Sequence, residues 1–172
     1  GKTTFKGMAA GSNSAEGLWI AYPGHEELPP MDKVTGVAWF ESAYDAMAFY
    51  QLNEQAFKEH TGLAENALFV STGGTPTDGQ MRHMLKATPN AHHFLCFDND
   101  KAGREFCAHF HSFAESIGIP KGNVMDFFLH PRYKDWNDAL QDKPFYTGDE
   151  VIPLTPKTNT GQDVGQQGGL KR

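Results

Sequence analysis

Val37-Ala38-Trp39-Phe40-Glu41-Ser42-Ala43-Tyr44-Asp45-Ala46 is the stretch that decides the fold. Four apolar residues in a row suit a strand covered on both faces, and such strands belong to sheets with helices on either side. The run stops at Glu41. From Ser42 to about His60, Ala43, Ala46, Met47, Tyr50 and Leu52 recur near a period of 3.6, which predicts a helix. A strand leading straight into a helix is the first half of a βαβ unit.

The alternation continues downstream. Residues 67–71 form a second apolar run, closed by Gly73-Gly74. A helix is predicted from about Pro76 to Lys86, with Thr75 as N-cap, Pro76 at the first helical position and Asp78 at the third. Residues 93–97 read as a third strand, 101–117 as a helix ended by Gly118, 123–129 as a fourth strand and 135–141 as a short helix. The expected fold is therefore α/β, with a mainly parallel four-stranded sheet flanked by helices. Residues 1–35 read as a Gly/Ser/Pro-rich flank with one strand candidate at 18–22, and 36–145 as the domain that carries the chemistry. The pattern fades near Phe145, and 146–172 read as a disordered tail.

Bulk properties narrow the function classes. A chain of 172 residues supports one well-cored domain. No apolar run approaches the roughly 20 residues of a membrane span, and residues 1–11 lack the apolar region of a signal peptide. The two cysteines, Cys96 and Cys107, form no CxxC pair, which argues against a disulfide scaffold and a structural zinc site and for a cytoplasmic setting. The chain opens without Met and reads as a fragment of a longer protein.

A net charge of −6 argues at first against binding nucleic acid. The location of the acids changes that. Glu41, Asp45, Asp98, Asp100, Asp135 and Asp138 all fall at or just beyond predicted strand ends, and setting these six aside leaves a neutral chain. In an open parallel sheet, sites form beyond the carboxyl ends of the strands. One strand-end acid is an ordinary polar loop residue; three sets converging on one sheet edge repel one another unless a cation sits among them. Hard oxygen donors without Cys or His point to Mg²⁺ or Mn²⁺. Asp45 lies one helical turn after Glu41 and leans toward the same cluster.

The eight histidines do not make a rival site. His92 and His93 are adjacent in a strand and point to opposite faces, while His109 and His111 are two apart on a helix. Phe106, Phe110 and Phe113 have the spacing of a helix core face, and Cys96 sits within a buried strand. Trp136 either covers the acidic loop or packs beneath it. Gly73-Gly74 is not a Walker A loop, since no Gly-Lys-Ser/Thr follows.

Four segments, in order, resemble the motifs of the Toprim family in its primase form. Glu41-Ser42-Ala43-Tyr44-Asp45-Ala46 resembles the family's glutamate motif, and Ser71-Thr72-Gly73-Gly74-Thr75 its glycine turn. Phe97-Asp98-Asn99-Asp100-Lys101-Ala102-Gly103-Arg104 resembles the DxD motif, and Lys134-Asp135-Trp136-Asn137-Asp138 the third acidic element. The resemblance implies a Toprim, Rossmann-like fold and metal-dependent phosphodiester chemistry. It implies Glu41 as general acid/base or metal ligand, Asp98 and Asp100 as principal Mg²⁺ ligands, and Asp45 and Asp135 as completing the shell. Asn137 stands where bacterial primases often carry a second Asp, and Asp138 is the neighbour that compensates. Wording at Lys6-Gly7 and Gly17-Leu18-Trp19 is similar to Toprim proteins of plasmids and conjugative elements.

The residues themselves suggest how phosphate is held. Backbone N–H groups at Gly73 and Gly74 offer an anion seat, and Lys101, Arg104, Arg132 and Lys134 lie near the acids, Lys134 foremost. The expected function is a primase-like nucleotidyltransferase of DNA replication in a mobile element, with nucleotides, a single-stranded DNA template and other domains of a longer chain as partners. A Toprim nuclease using the same acids and a non-catalytic recruiting module remain open alternatives.

Overall fold

The computed structural model describes residues 13, 15–59 and 66–144; the expected tail and the expected helix end at His60 lie outside them. Five strands form one sheet: β1 (Trp19–Ala21), β2 (Gly36–Phe40), β3 (Ala67–Ser71), β4 (His92–Leu95) and β5 (Val124–Asp126). Between and after them run helices α1 (Ala43–Glu59), α2 (Asp78–Ala87), α3 (Lys101–Ser116) and α4 (Trp136–Leu140).

The strand order is β1-β3-β2-β4-β5. Strands β3, β2, β4 and β5 are mutually parallel, as the βαβ alternation requires. The sheet has five strands rather than four, because the flank segment adds β1 antiparallel to β3, pairing Trp19 with Ser71 and Ala21 with Phe69. Three residues are too few to show a decisive periodicity. Backbone pairing with β3 makes them a strand.

Strand β2 lies at the centre and is buried at all five positions. Its alternate residues serve two cores. Val37 and Trp39 join Leu68, Val70 and Leu95 under Met81, Met84 and Leu85 of α2 and Phe110 and Phe113 of α3. Ala38 and Phe40 join Phe69 and Cys96 under Ala46 and Phe49 of α1 and Trp136 of α4. Burial on both faces is why these strands read as unbroken apolar runs.

The caps differ from expectation in an informative way. Thr77, not Thr75, caps α2: its Oγ1 accepts from Gln80 N at 3.1 Å, and Gln80 Oε1 accepts from Thr77 N at 3.0 Å. This reciprocal pair satisfies two donors at once, which a Thr-Pro start cannot match. Buried Gln80 also donates to the Gly17 carbonyl at 2.7 Å and the Thr72 carbonyl at 3.0 Å, tying the β1 flank to the turn after β3. Asp100 caps α3 and Asp135 caps α4.

The histidines sort as their spacing requires. His92 is exposed and His93 buried, where His93 accepts a hydrogen bond from Trp39 Nε1 at 3.1 Å. Burial, then the neighbouring His92, pushes the His93 pKa down to about 4. His109 pairs with Asp78 and His111 with Asp126, each at 2.8 Å, so the two share no ligand. Among the described residues, no helix is long and apolar enough to cross a membrane.

Candidate metal centre

Parallel pairing of β2 with β4 sets the end of one strand beside the end of the other. Glu41 follows β2 and Asp98 lies three residues beyond β4; the Asp98 N–H donates to Glu41 Oε1 at 3.3 Å. The backbone of Glu41 is held as well. Its carbonyl accepts from Gly74 N at 2.9 Å and from Ser71 Oγ at 3.2 Å. Gly73 and Gly74 adopt φ of 71° and 125°, a region that favours glycine, and the Gly73 N–H donates to Ser71 Oγ at 3.2 Å. The N–H groups read as an anion seat thus have internal partners, and the visible work of the turn is to fix Glu41.

Asp45 is buried on the first turn of α1. Its carboxylate accepts from Ser42 Oγ and, at 3.2 Å, from Asn137 N, joining α1 to α4. Asp100 accepts from Gly103 N at 3.0 Å through Oδ1, while Oδ2 meets Lys134 Nζ at 3.4 Å. Asp135 accepts from Asp138 N at 2.7 Å. Gly103 shows why a glycine must follow the DxD segment: a Cβ there would stand 2.0 Å from the Asp98 carbonyl oxygen.

Two residues without an assigned role hold the third acidic element in place. Asn99 Nδ2 donates to the carbonyls of Leu129, His130 and Tyr133 at 3.1–3.3 Å, and Asn99 N to the Lys134 carbonyl at 2.6 Å. The amide between the two aspartates is therefore a clasp on the loop that carries Lys134 and Asp135. Trp136 packs beneath the loop; its Nε1 donates to the Cys96 carbonyl at 2.9 Å and its ring meets Phe49 edge-on at 4.8 Å. Ser42 is the other positioning side chain, through its bond to Asp45. A Ser, Asn or Trp inside an acidic motif carries no sequence signal that separates such a role from spacing.

The acids act on one another electrically. Burial pushes the Glu41 pKa up to about 7; Asp100 and Asp45 add to the rise, while the Asp98 N–H and Lys134 oppose it. Burial, then repulsion from Glu41, Asp45 and Asp135, pushes Asp98 up to about 8 against the pull of Lys134. Asp45 is raised by burial and by Asp135 and Asp138, against its bonds from Ser42 and Asn137. Burial works against the charge of Lys134, but Asp100, Asp98 and Asp135 outweigh it and hold its pKa above the ordinary lysine value. Negative charge at this edge thus exceeds what one lysine offsets.

The donor set fits a hard divalent cation: carboxylate oxygens, half-buried, short of positive charge and without Cys or His among them. Glu41, Asp98 and Asp100 are the residues that would hold it. Among the described residues, no three acidic, His or Cys side chains stand where they could hold a metal ion together. Asp45, Asp100 and Asp135 each have an oxygen engaged by a backbone N–H.

The remaining basic residues are spread around this edge. Lys101 pairs with Glu105 at 3.7 Å at exposed positions of α3, and Arg132 with Asp142 at 3.7 Å while lying over the Tyr133 ring. Arg104 lines a cavity that reaches Asp98. A separate cavity of about 320 Å³ between α1 and the sheet is lined by Phe49, Phe57, Phe69 and Phe94; among the described residues no acid, His, Lys or Arg borders it. Its walls have no ionised group to direct chemistry.

A family model described as Toprim-like matches residues 38–140, more than half of the chain. The match runs from the middle of β2 to the end of α4 and takes in all six acids. No curated protein and no solved structure matches the chain.

Proposed function

The chain belongs to the Toprim-like family, whose domains occur in metal-dependent proteins that process nucleic acid, and we propose that it is a primase-like nucleotidyltransferase. The observation that carries this reading is the meeting of Glu41 and Asp98 at adjacent strand ends, with Lys134 on Asp100 beside them. It joins a proton-carrying group, cation ligands and a phosphate-seeking charge at one edge of the sheet.

In this reading Asp98 and Asp100 hold Mg²⁺ or Mn²⁺, with Asp45, Asp135 and Asp138 shaping the shell behind them. The cation supplies charge stabilisation for the non-bridging and leaving oxygens of the reacting phosphate. Glu41, with a pKa raised to about 7, is poised near working pH to take the proton of an attacking 3′-hydroxyl. The 3′ oxygen forms a bond to the α-phosphorus of a nucleoside triphosphate, the bond to pyrophosphate breaks, and the hydroxyl proton passes to Glu41. Lys134 comes first among the phosphate contacts, with Lys101, Arg104 and Arg132 further out and the Gly73-Gly74 turn at the margin. The proposed partners are nucleotides, a single-stranded DNA template and other domains of a longer chain.

The test is a primer-synthesis assay beside a DNA-cleavage assay, each with Mg²⁺ and with Glu41→Gln as control. Synthesis that Glu41→Gln abolishes supports the proposal. Cleavage abolished by the same change, without synthesis, reassigns the centre to a nuclease. Neither activity, with intact DNA binding, leaves a recruiting module.

A further inference from the structure

We propose that the cavity between α3 and β5 is a nucleobase subsite, seating the base of the nucleoside triphosphate whose phosphates lie at the acidic cluster. The inference rests on the proposed nucleotide chemistry and adds to it where the base goes. The cavity measures about 330 Å³, within the range of small-ligand pockets, roughly 300–1,000 Å³. Its lining joins Asp98 of the acidic cluster to an apolar wall. Asp98 stands at one end; Leu95, Phe97, Ala108 and Phe128 form the walls. Phe128 is 55% exposed, although it borders a cavity, so a flat aromatic face is left to water beside the chemistry. Bases stack on such faces without needing a particular sequence.

The polar groups of the cavity suit a base and not a second phosphate. Asp126 borders it, paired with His111 at 2.8 Å. A carboxylate and an imidazole held together leave acceptor atoms for the exocyclic amino group of a base. The same carboxylate repels phosphate. Arg104 also lines the cavity, near the Asp98 end where phosphate is expected. A ligand with an apolar, hydrogen-bonding ring at one end and a metal-seeking anion at the other is what this lining selects.

Titration of ATP and GTP against inorganic triphosphate, all in Mg²⁺, tests the subsite on wild-type protein, Phe128→Ala and Ala108→Trp. Both positions are exposed, so neither change removes core, and thermal melting checks that each variant folds. The wild type is expected to bind at least one of the nucleotides about tenfold more tightly than triphosphate, the worth of one stacked base. Phe128→Ala should shrink that preference several-fold and Ala108→Trp should abolish it, with triphosphate affinity unchanged in both. Equal binding of nucleotides and triphosphate by the wild type overturns the subsite and leaves the metal reading standing. So does a preference that survives in both variants. If neither nucleotides nor triphosphate bind, the nucleotide reading of the acidic cluster falls and the subsite with it.

Discussion

Removing a carboxylate from the centre should make the metal-free protein more stable, and Asp98→Asn shows it best. The Asp98 side chain is half-buried, its pKa is raised from 3.8 to about 8, and the first cause is burial, followed by Glu41, Asp45 and Asp135. A folded-state pKa raised above the unfolded value contributes stability that is complete at low pH and lost as pH rises through the folded pKa. At about 1.4 kcal/mol per pKa unit, a fully buried, isolated group would remove about 6 kcal/mol by pH 8. Asp98 keeps part of its solvent, and screening of its repulsion leaves about 2 kcal/mol. In EDTA, Asp98 should therefore cost the wild type about 2 kcal/mol in urea unfolding between pH 4 and pH 8.5. Asparagine has no proton to lose and should remove the Asp98 share of the slope, leaving the share of Glu41, so the variant is the more stable protein at pH 8.5 and equal to wild type at pH 4. Equal slopes for the two proteins, or a variant less stable throughout, would refute the idea that uncompensated charge gathers at Asp98.

Three further changes probe the frame around it. Lys134→Met removes the charge that lowers the pKa values of Glu41 and Asp98, so the alkaline loss of stability in EDTA should extend to higher pH, read from the same unfolding series. Gly103→Ala drives a Cβ into the Asp98 carbonyl and should cost about 2–3 kcal/mol in urea unfolding, with weakened Mg²⁺ stabilisation because the Asp98–Asp100 turn must shift. Trp136→Phe keeps most of the ring packing but leaves the Cys96 carbonyl without its indole donor; it should cost about 1–2 kcal/mol and reduce the thermal shift produced by Mg²⁺.

The fold was legible where chemistry repeats. β2 and β3 are buried on both faces, so their apolar runs stand out; the helix after β2 was legible, but its buried face was not, since Met47 and Leu52 are exposed and Phe49 is buried with Ala46. β1 hid its place because its pairing with β3 rests on backbone bonds, which any side chain permits. The start of α2 was misplaced by two residues because Thr75-Pro76 imitates a cap as well as Thr77 with Gln80 does. Within the centre, the positions of the acids could be read because strand ends place them. Their second duties could not. Asp100 and Asp135 are helix caps as well as candidate ligands, and the same residue type suits both roles. Asn99 reads as a spacer until its amide is seen reaching three carbonyls thirty and more residues away.

The most direct test of the account is calorimetric titration of Mn²⁺ at pH 8 into wild type, Glu41→Gln, Asp98→Asn and Asp100→Asn. The wild type should bind saturably, with protons released chiefly from Asp98, about half protonated at this pH, as it ionises around the ion. Each single change should weaken binding by about tenfold or more, while thermal melting shows the variants folded. Binding that is absent from the wild type, or undiminished in all three variants, would contradict a metal centre built on these acids.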